Sequence, residues 1–191
     1  MSQHLDLGCG SIPRNPFSAH NVFGVDIRDR TGDETDNVKF VNCNVVVEKL
    51  PFDDDFFDSV SAYDFFEHIP RLVITGKESR FPFVELMSEI YRVLKPGGQL
   101  YAITPYYPAR SAFIDPTHVN FIAKGTHNYF CEPHNWASMY GFNGAFKPIR
   151  VKRVNFDTEV NKRPGIVGLV KNIRTFIMPS AKQHLVWHLK K

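Results

Sequence analysis

The stretch His4-Leu-Asp-Leu-Gly-Cys-Gly-Ser-Ile-Pro13 decides the fold of this chain. A short apolar strand runs directly into a Gly-x-Gly turn, and a second apolar run, Gly24-Val-Asp-Ile27, carries a carboxylate near its end. In a parallel α/β sheet this order places glycines where a ligand touches backbone and an acidic side chain where a ribose can bind. The turn lacks the third glycine and the helix start that a pyrophosphate needs. The pattern therefore predicts a nucleoside ligand and not a dinucleotide.

Short β-rich runs alternate with loops and with one clear helix along the chain. The helix is predicted from Pro82, because apolar residues then recur at three- and four-residue steps until Lys95-Pro-Gly-Gly98 ends the run. Strands are predicted over residues 4–7, 22–27, 38–43, 59–63, 100–104 and 146–156. Such alternation is typical of parallel βα units. The thirteen residues between Gly10 and Gly24 include two prolines, so the first crossover is predicted to be a loop or a single turn.

Composition and charge bound the class of protein. A chain of 191 residues with 43% hydrophobic and 14% aromatic residues is typical of one globular domain. The formal net charge of +3 is too small to indicate nucleic acid, and no apolar run is long enough to span a bilayer. Three cysteines without framework spacing favour a reducing compartment, and no signal-peptide pattern is present. We therefore expect a single cytoplasmic domain over residues 1–191.

Five segments in the same order resemble the class I S-adenosylmethionine-dependent methyltransferases. The first strand and turn resemble motif I, and residues 24–27 resemble the second-strand acidic motif. The run Leu50-Pro-Phe-Asp-Asp-Asp-Phe-Phe-Asp58, its continuation to Ile69, and Glu89-Ile-Tyr-Arg-Val-Leu-Lys-Pro-Gly-Gly98 complete the set. The resemblance covers about residues 4–105. It implies a Rossmann-like α/β fold with a mostly parallel seven-stranded sheet and an antiparallel final strand.

The resemblance also implies the cofactor, S-adenosylmethionine, and its product, S-adenosylhomocysteine. This cofactor carries no phosphate, so Ile12 and Pro13 can replace a third glycine. Asp26 is expected to accept hydrogen bonds from the ribose hydroxyls, and Ile27 to pack on the adenine. Asn44 stands where the family often has an aspartate that reads the adenine amino group, and an amide oxygen can accept that bond too. A structural alternative, in which Asp26 caps a loop, stays open.

The remaining cofactor residues lie on the first strand, in its turn and at the end of strand four. Gly8 and Gly10 allow the backbone to approach the cofactor without a Cβ in the way. Cys9, between them, is interpreted as a small filler in the turn and not as a reactive thiol. By the family pattern, Asp6 and the backbone around Tyr63 face the methionine end. Asp6 could instead simply hold the turn in place.

The acceptor is expected after strands four and five, where ligands collect in such sheets. Residues 105–130 form a long loop rich in proline and aromatics, which we interpret as the substrate loop. His118, oriented by Asp115, is predicted to remove a proton from an acceptor hydroxyl, and His68 is the second candidate. The run Asp115-Pro-Thr-His118 could instead be a turn or a helix cap, and Glu67 could hold its loop in place.

No metal site is predicted from the sequence. His127, Cys131 and His134 are possible ligand types, with Asp115 and His118 upstream of them. Their spacing fits no standard zinc framework.

The sequence supports methyl transfer to an oxygen of a small-molecule or glycan-like acceptor, and it leaves two alternatives open. One is an NAD-dependent Rossmann oxidoreductase, which the missing last glycine disfavours. The other is a non-catalytic cofactor-binding domain that has kept the fold. A nucleic-acid acceptor is not expected, because Asp64-Phe-Phe-Glu67 stands where amino-methylating DNA enzymes carry their tetrapeptide.

The C-terminal part of the chain predicts a helix followed by a strand. Apolar residues recur at helical spacing over residues 165–179, and residues 184–189 are typical of a strand. We predict that this strand pairs with residues 146–156 and that the helix is inserted between them. The alternative is a helix that lies on a membrane surface, since its flanks are basic. The sequence gives no indication of oligomeric state.

Overall fold

A seven-stranded sheet and a separate two-stranded hairpin form the framework of the computed structural model, which describes residues 1–30, 32–161 and 183–191. The strands of the large sheet are β1 (Gln3–Leu7), β2 (Asn21–Asp26), β3 (Val38–Asn42), β4 (Phe57–Tyr63), β7 (Leu94–Pro105), β8 (Lys147–Val154) and β9 (His184–Lys190). The hairpin consists of β5 (Val73–Thr75) and β6 (Glu78–Arg80). The helices are α1 (Pro82–Val93) and the short α2 (Phe156–Val160).

The strand order is β3-β2-β1-β4-β7-β9-β8. Neighbouring strands from β3 to β7 are parallel, whereas β9 runs antiparallel to both β7 and β8. The predicted mostly parallel sheet with an antiparallel final strand is therefore confirmed. So is the pairing of β8 with β9, in which Val154 lies opposite His184. The predicted helix over residues 165–179, and with it the alternative of a membrane-surface helix, lies outside the described residues.

Helix α1 covers one face of the sheet, as its apolar spacing predicts. Pro82 occupies the first turn, where its missing N–H costs nothing, and the chain becomes extended at Leu94. The apolar face of the helix is buried in the main core. The largest fully buried side chains of that core include Trp187, Phe57, Phe66, Phe130, Phe146, Met87 and Ile90.

The first crossover, residues 8–20, contains no helix, as predicted. Phe17 from this loop lies against the rings of His4, Tyr101 and His188, with ring centroids 5.9–6.4 Å apart. These three residues belong to β1, β7 and β9. One aromatic side chain of the loop thus covers sheet surface that a crossover helix would otherwise bury.

Most predicted strand ends differ from the structure by one or two residues, and the start of β7 differs by six. Strand β7 begins at Leu94 and includes Lys95-Pro-Gly-Gly98, which the sequence indicated only as a helix stop. Strand β8 ends at Val154 and not at Phe156, because the side chain of Asn155 accepts a hydrogen bond from the backbone N–H of Thr158 and caps α2. Among the described residues, no helix has the length and apolar character needed to cross a membrane.

Candidate active site

The carboxyl ends of β1, β2, β3 and β4 meet at one edge of the sheet, because these neighbouring strands are parallel. At this edge lies a cavity of about 410 Å³. That volume lies in the range of small-molecule sites. Its walls come from the end of β2 and from the segments that follow the four strands. The lining residues are Gly8, Val25, Asp26, Ile27, Arg28, Cys43, Asn44, Val45, Val46, Asp64, Phe65, His68 and Ile69. Two further cavities of similar volume lie nearby or elsewhere on the surface, and one of them shares Val45 with this cavity.

The turn after β1 is held against β2 and brings backbone close to the cavity. Gly8 and Gly10 have φ values of +64° and +62°, which favour glycine. The N–H groups of Gly8 and Cys9 both donate to the carbonyl of Val25, at 2.8 and 3.2 Å. A Cβ on Gly8 would lie 2.3 Å from the ring of Phe65. Gly8 is therefore fixed both by its backbone conformation and by the close approach of that ring.

Asp26 ends β2 with its side chain 8% exposed. Its carboxylate accepts hydrogen bonds from the backbone N–H of Gly10 at 2.9 Å and of Arg28 at 3.0 Å. The guanidinium of Arg28 also donates, through Nε at 3.0 Å. Burial alone would raise the pKa of Asp26, but the hydrogen bonds from Arg28 and Gly10 outweigh it and hold the pKa below its usual value. The carboxylate is thus ionised and suited to accept hydroxyl donors.

Asn44 follows β3 and forms a turn with its own side chain. Its Oδ1 accepts from the backbone N–H of Val46 at 3.2 Å, while the Asn44 N–H donates to Glu48 at 3.0 Å. Asn44 lines the cavity beside the exposed side chain of Ile27. The apolar wall and an amide of this turn are groups that can hold a purine ring.

Four of the eight predicted cofactor residues line the cavity: Gly8, Asp26, Ile27 and Asn44. Gly10 reaches it indirectly, through its hydrogen bond to Asp26. Asp6, Cys9 and Tyr63 are not among the lining residues.

Asp6 is buried and binds the first crossover. Its carboxylate accepts from the backbone N–H of Arg14 at 2.8 Å and from the hydroxyl of Ser61 at 2.5 Å. Burial raises the pKa of Asp6 to about 6. The guanidinium of Arg14 lies 4.5 Å from the ring centroid of Tyr63. These contacts hold the first crossover against β1, and Arg14 places a cation above Tyr63.

Cys9 fills space between the turn and β2. A Cβ on Gly24 would lie 2.6 Å from the Cys9 sulfur, so the turn can lie this close to β2 only because Gly24 has no side chain. Burial raises the pKa of the Cys9 thiol to about 12. The thiol is therefore protonated and unreactive, as the filler interpretation of the sequence expects.

Glu67, His68 and His118 come together beside the cavity, and we call these three residues the histidine cluster. One candidate donor atom from each lies within 4.8 Å of the other two. The rings of His68 and His118 are perpendicular, with centroids 4.9 Å apart. His118 Nε2 lies 4.0 Å from Glu67 Oε1 and 3.9 Å from Asp115 Oδ2. The three predicted catalytic residues, Asp115, His118 and His68, are thus brought together.

The loop that follows β7 is attached to the segment after β4. The backbone N–H groups of Val119 and Asn120 both donate to the carbonyl of Glu67 at 2.9 Å. The side-chain amide of Asn120, itself buried, donates to the carbonyl of Phe66 at 3.0 Å. These bonds fix His118 relative to His68, although fifty positions separate the two residues in the sequence.

Hydrogen bonds determine the tautomers of both histidines. The Thr117 hydroxyl donates to Asp115 at 2.6 Å, so it can only accept from Nδ1–H of His68, at 3.0 Å. The Nδ1–H of His118 donates to the carbonyl of Ala112 at 3.3 Å. Nε2 therefore carries the lone pair in each ring. Asp115 lies 3.9 Å from Nε2 of His118, and through the Thr117 hydroxyl it also positions His68.

Glu67 is the residue of this site whose importance the sequence analysis missed. It is 1% exposed, and one carboxylate oxygen, Oε2, accepts from the hydroxyl of Thr104 at 2.9 Å. Burial, together with the nearby charges of Asp64 and Asp115, raises the pKa of Glu67 to about 8. The sequence signal that could have indicated Glu67 is its position next to His68, just after a buried strand. Arg28 and Thr117 were also missed, since nothing in their local sequence indicates their partners.

The other possible ligand types do not form a cluster. The Nδ1–H of His127 donates to the carbonyl of Lys124, and the ring of His134 stacks on Trp136 with centroids 4.7 Å apart. Cys131 is buried, and its burial raises the pKa of the thiol to about 12. In the part of the chain that the structure describes, the histidine cluster is the only group of three such side chains.

Comparisons with known proteins agree with this geometry. Residues 5–102 match the family model described as a methyltransferase domain. This match covers half of the chain, and the chain therefore belongs to this methyltransferase family. Membership makes S-adenosylmethionine its cofactor, and the carboxylate of Asp26 and the glycine turn at the cavity fit that molecule.

One curated relative shares part of its sequence with this chain. Over 108 residues the chain is 34% identical to the sterol 4-C-methyltransferase strm-1 of Caenorhabditis elegans. The aligned region covers 50% of this chain and 28% of that protein. The chain thus spans little more than a quarter of this curated relative.

Solved structures with the same fold cover the whole chain. The [4+2]-cyclase SpnF has a TM-score of 0.58 at 16% identity, over 100% of this chain and 74% of its own. A SAM-dependent methyltransferase from Archaeoglobus fulgidus has a TM-score of 0.56 at 18% identity, over 100% and 86%. At such identities the likeness shows the fold alone.

Proposed function

We propose that the chain transfers the methyl group of S-adenosylmethionine to a hydroxyl of a small-molecule or glycan-like acceptor. The observation that carries this proposal is the position of His68, which lines the cofactor cavity and also belongs to the histidine cluster. A proton acceptor therefore stands directly beside the space in which the methyl donor binds. That adjacency is what oxygen methylation needs, because the hydroxyl must lose its proton as it attacks.

Within this proposal, the chain's own residues orient the reactants and move one proton. When bound, S-adenosylmethionine supplies an electrophilic methyl group, whose bond to sulfur breaks as its bond to the acceptor oxygen forms. His118 Nε2 has the lone pair and takes the hydroxyl proton. Asp115, at 3.9 Å from that nitrogen, stabilises the resulting imidazolium by charge, and Glu67 lies 4.0 Å from the same atom. Holding the two reactants in line supplies most of the rate enhancement.

The loop after β7 is proposed to hold the acceptor. Tyr107, Phe113 and Phe121 are exposed, and the rings of Phe113 and Phe121 stack with centroids 4.8 Å apart. Exposed aromatic rings beside a catalytic cluster are suited to pack on the face of a sugar or another flat acceptor.

The test is transfer of the labelled methyl group from S-adenosylmethionine to a panel of hydroxylated small molecules, glycans and sterols. His118→Ala is expected to lower turnover by about 10²- to 10⁴-fold, with S-adenosylhomocysteine affinity unchanged. His134→Ala is the matched control, since that exposed histidine stacks on Trp136 outside the cluster. Equal turnover by the His118→Ala variant and the wild type would contradict the assignment. Cofactor binding without transfer to any acceptor class would favour a non-catalytic cofactor-binding domain.

A further inference from the structure

The histidine cluster presents two imidazole nitrogens and one carboxylate oxygen to a common space. The candidate donor atoms of Glu67, His68 and His118 lie within 4.8 Å of one another. Ligands of one ion with bonds of about 2.1 Å lie about 3–4 Å apart, so small side-chain rotations would bring these atoms to ligating distance. Two histidines and one carboxylate are the donor set of several catalytic metal sites that keep open positions.

The outer contacts of both histidines are those of metal ligands. Nδ1–H of His68 is held by Thr117, which is held in turn by Asp115, and Nδ1–H of His118 is held by the Ala112 carbonyl. In metal sites, a ligating histidine usually donates its other ring N–H to a carboxylate, a carbonyl or another fixed acceptor. Both rings are therefore already oriented, and each has Nε2 free to ligate.

A buried carboxylate oxygen of Glu67 without a hydrogen-bond partner points to a cation at the histidine cluster. Glu67 is 1% exposed, and its Oε1 has no hydrogen-bond partner among the described residues. The nearest nitrogen of the cluster, His118 Nε2, lies 4.0 Å away and carries a lone pair, so it cannot donate to this oxygen. An unpaired buried carboxylate oxygen is costly. A positive ion between the two atoms would satisfy both lone pairs.

We propose that Glu67, His68 and His118 bind one divalent first-row transition-metal ion. Two imidazole ligands select such ions over Mg²⁺ and Ca²⁺, which prefer oxygen. Three protein ligands leave coordination positions open. Since His68 also lines the cofactor cavity, an open position lies near the place proposed for the acceptor.

The catalytic consequence rests on the proposed function. An acceptor hydroxyl bound to the ion would have a lower pKa and would release its proton to solvent before its oxygen attacks the methyl carbon. His118 would then act as a ligand, and its role as proton acceptor would apply only to the metal-free protein. Binding of the ion itself requires neither the cofactor nor an acceptor.

The experiment is titration of the full chain with Co²⁺, followed by visible absorption and by calorimetry. We expect one ion per chain and d–d bands that report nitrogen ligation. His118→Ala and Glu67→Gln should each weaken binding at least 10-fold, whereas His134→Ala should leave it unchanged. If Glu67→Gln does not fold, the half-buried His68→Ala provides the second variant, with circular dichroism as the check on folding.

Stoichiometric Co²⁺ binding that survives both substitutions, or no binding by the folded wild type, would overturn the site. A separate assay addresses the consequence for catalysis. Methyl transfer that stops with a chelator and returns with Co²⁺ would support it, and transfer that is insensitive to a chelator would refute it. Because Co²⁺ binding is measured without cofactor or acceptor, its failure is distinguishable from failure of the proposed methyl transfer.

Discussion

Two constraints act together on Gly8. Its φ of +64° is strained for a residue with a side chain, and a Cβ there would lie 2.3 Å from the ring of Phe65. Because Phe65 lines the cavity, relief of that contact would move a wall of the site. Gly8→Ala is therefore expected to weaken S-adenosylhomocysteine binding at least 10-fold, measured by calorimetry.

Gly141 provides the control for this prediction. Its φ is +90°, and nothing lies within 4 Å of where its Cβ would be. Gly141→Ala thus imposes backbone strain without a collision and should keep the wild-type affinity. Unchanged affinity of Gly8→Ala would mean that the turn does not shape the cofactor site.

Strand β1 carries a buried polar network whose two ends respond oppositely to pH. Nε2–H of His4 donates to the Ser61 hydroxyl at 2.9 Å, and that hydroxyl donates to Asp6. Burial lowers the pKa of His4 to about 4 and raises that of Asp6 to about 6. The folded state therefore disfavours the charged form of each group.

The signs follow from comparison with the unfolded chain, where the pKa values are about 6.5 for His4 and 3.8 for Asp6. The contribution of His4 to stability is lost as the pH falls from about 6.5 to about 4, whereas that of Asp6 is gained as the pH falls from about 6 to about 3.8. In the wild type the two changes oppose each other.

Asp6→Asn should therefore lose stability more steeply than the wild type between pH 6 and pH 4, and His4→Gln less steeply. Urea unfolding at several pH values measures both slopes. If the wild type and both variants lost stability identically with pH, the burial of His4 and Asp6 would not shift the pKa of either side chain.

At the scale of elements, local patterns predicted the strands and helix α1 well. Alternation of apolar runs and the spacing of Phe83, Leu86, Met87 and Ile90 are local signals, and they predicted the sheet and α1 to within a few residues. The short first crossover was predicted from its length and prolines. The capping of α2 by Asn155, which shortens β8, was not predicted, because a single side-chain contact decides it.

The cofactor side of the site was predictable where the family resemblance assigns a residue to a strand end. Asp26 and Asn44 were predicted in this way, and both line the cavity. The partners of His68 and His118 could not be found in this way, since Thr117, Ala112 and Glu67 meet them through contacts of a folded loop. Sequence position indicates which strand end a residue occupies, but not which atoms it faces.

At the scale of the whole molecule, strand β9 contributes a large part of the buried packing. Strand β9 lies between β7 and β8, and Trp187 at its centre is fully buried against Phe66, Phe83 and Phe130. Trp187→Ala is expected to lower the free energy of unfolding by about 3–5 kcal/mol through loss of packing. Chemical denaturation measures this directly.

Trp187→Phe separates packing from hydrogen bonding. The indole N–H of Trp187 is buried and has no partner among the residues that the structure describes, so its removal breaks no hydrogen bond within that part of the chain. This variant should lose clearly less stability than Trp187→Ala. Equal losses would indicate that the N–H has a partner that matters to the fold.

The central claim is that the cavity at the ends of β1 to β4 binds S-adenosylmethionine through Asp26. The most direct measurement is calorimetric titration of the wild type, Asp26→Ala and the exposed control Asp53→Ala with S-adenosylhomocysteine, with NAD as the competing ligand. The account predicts one site per chain in the wild type and in Asp53→Ala, no binding of NAD, and affinity lowered about 10- to 100-fold in Asp26→Ala. Unchanged affinity in a folded Asp26→Ala variant, or binding of NAD alone, would contradict it.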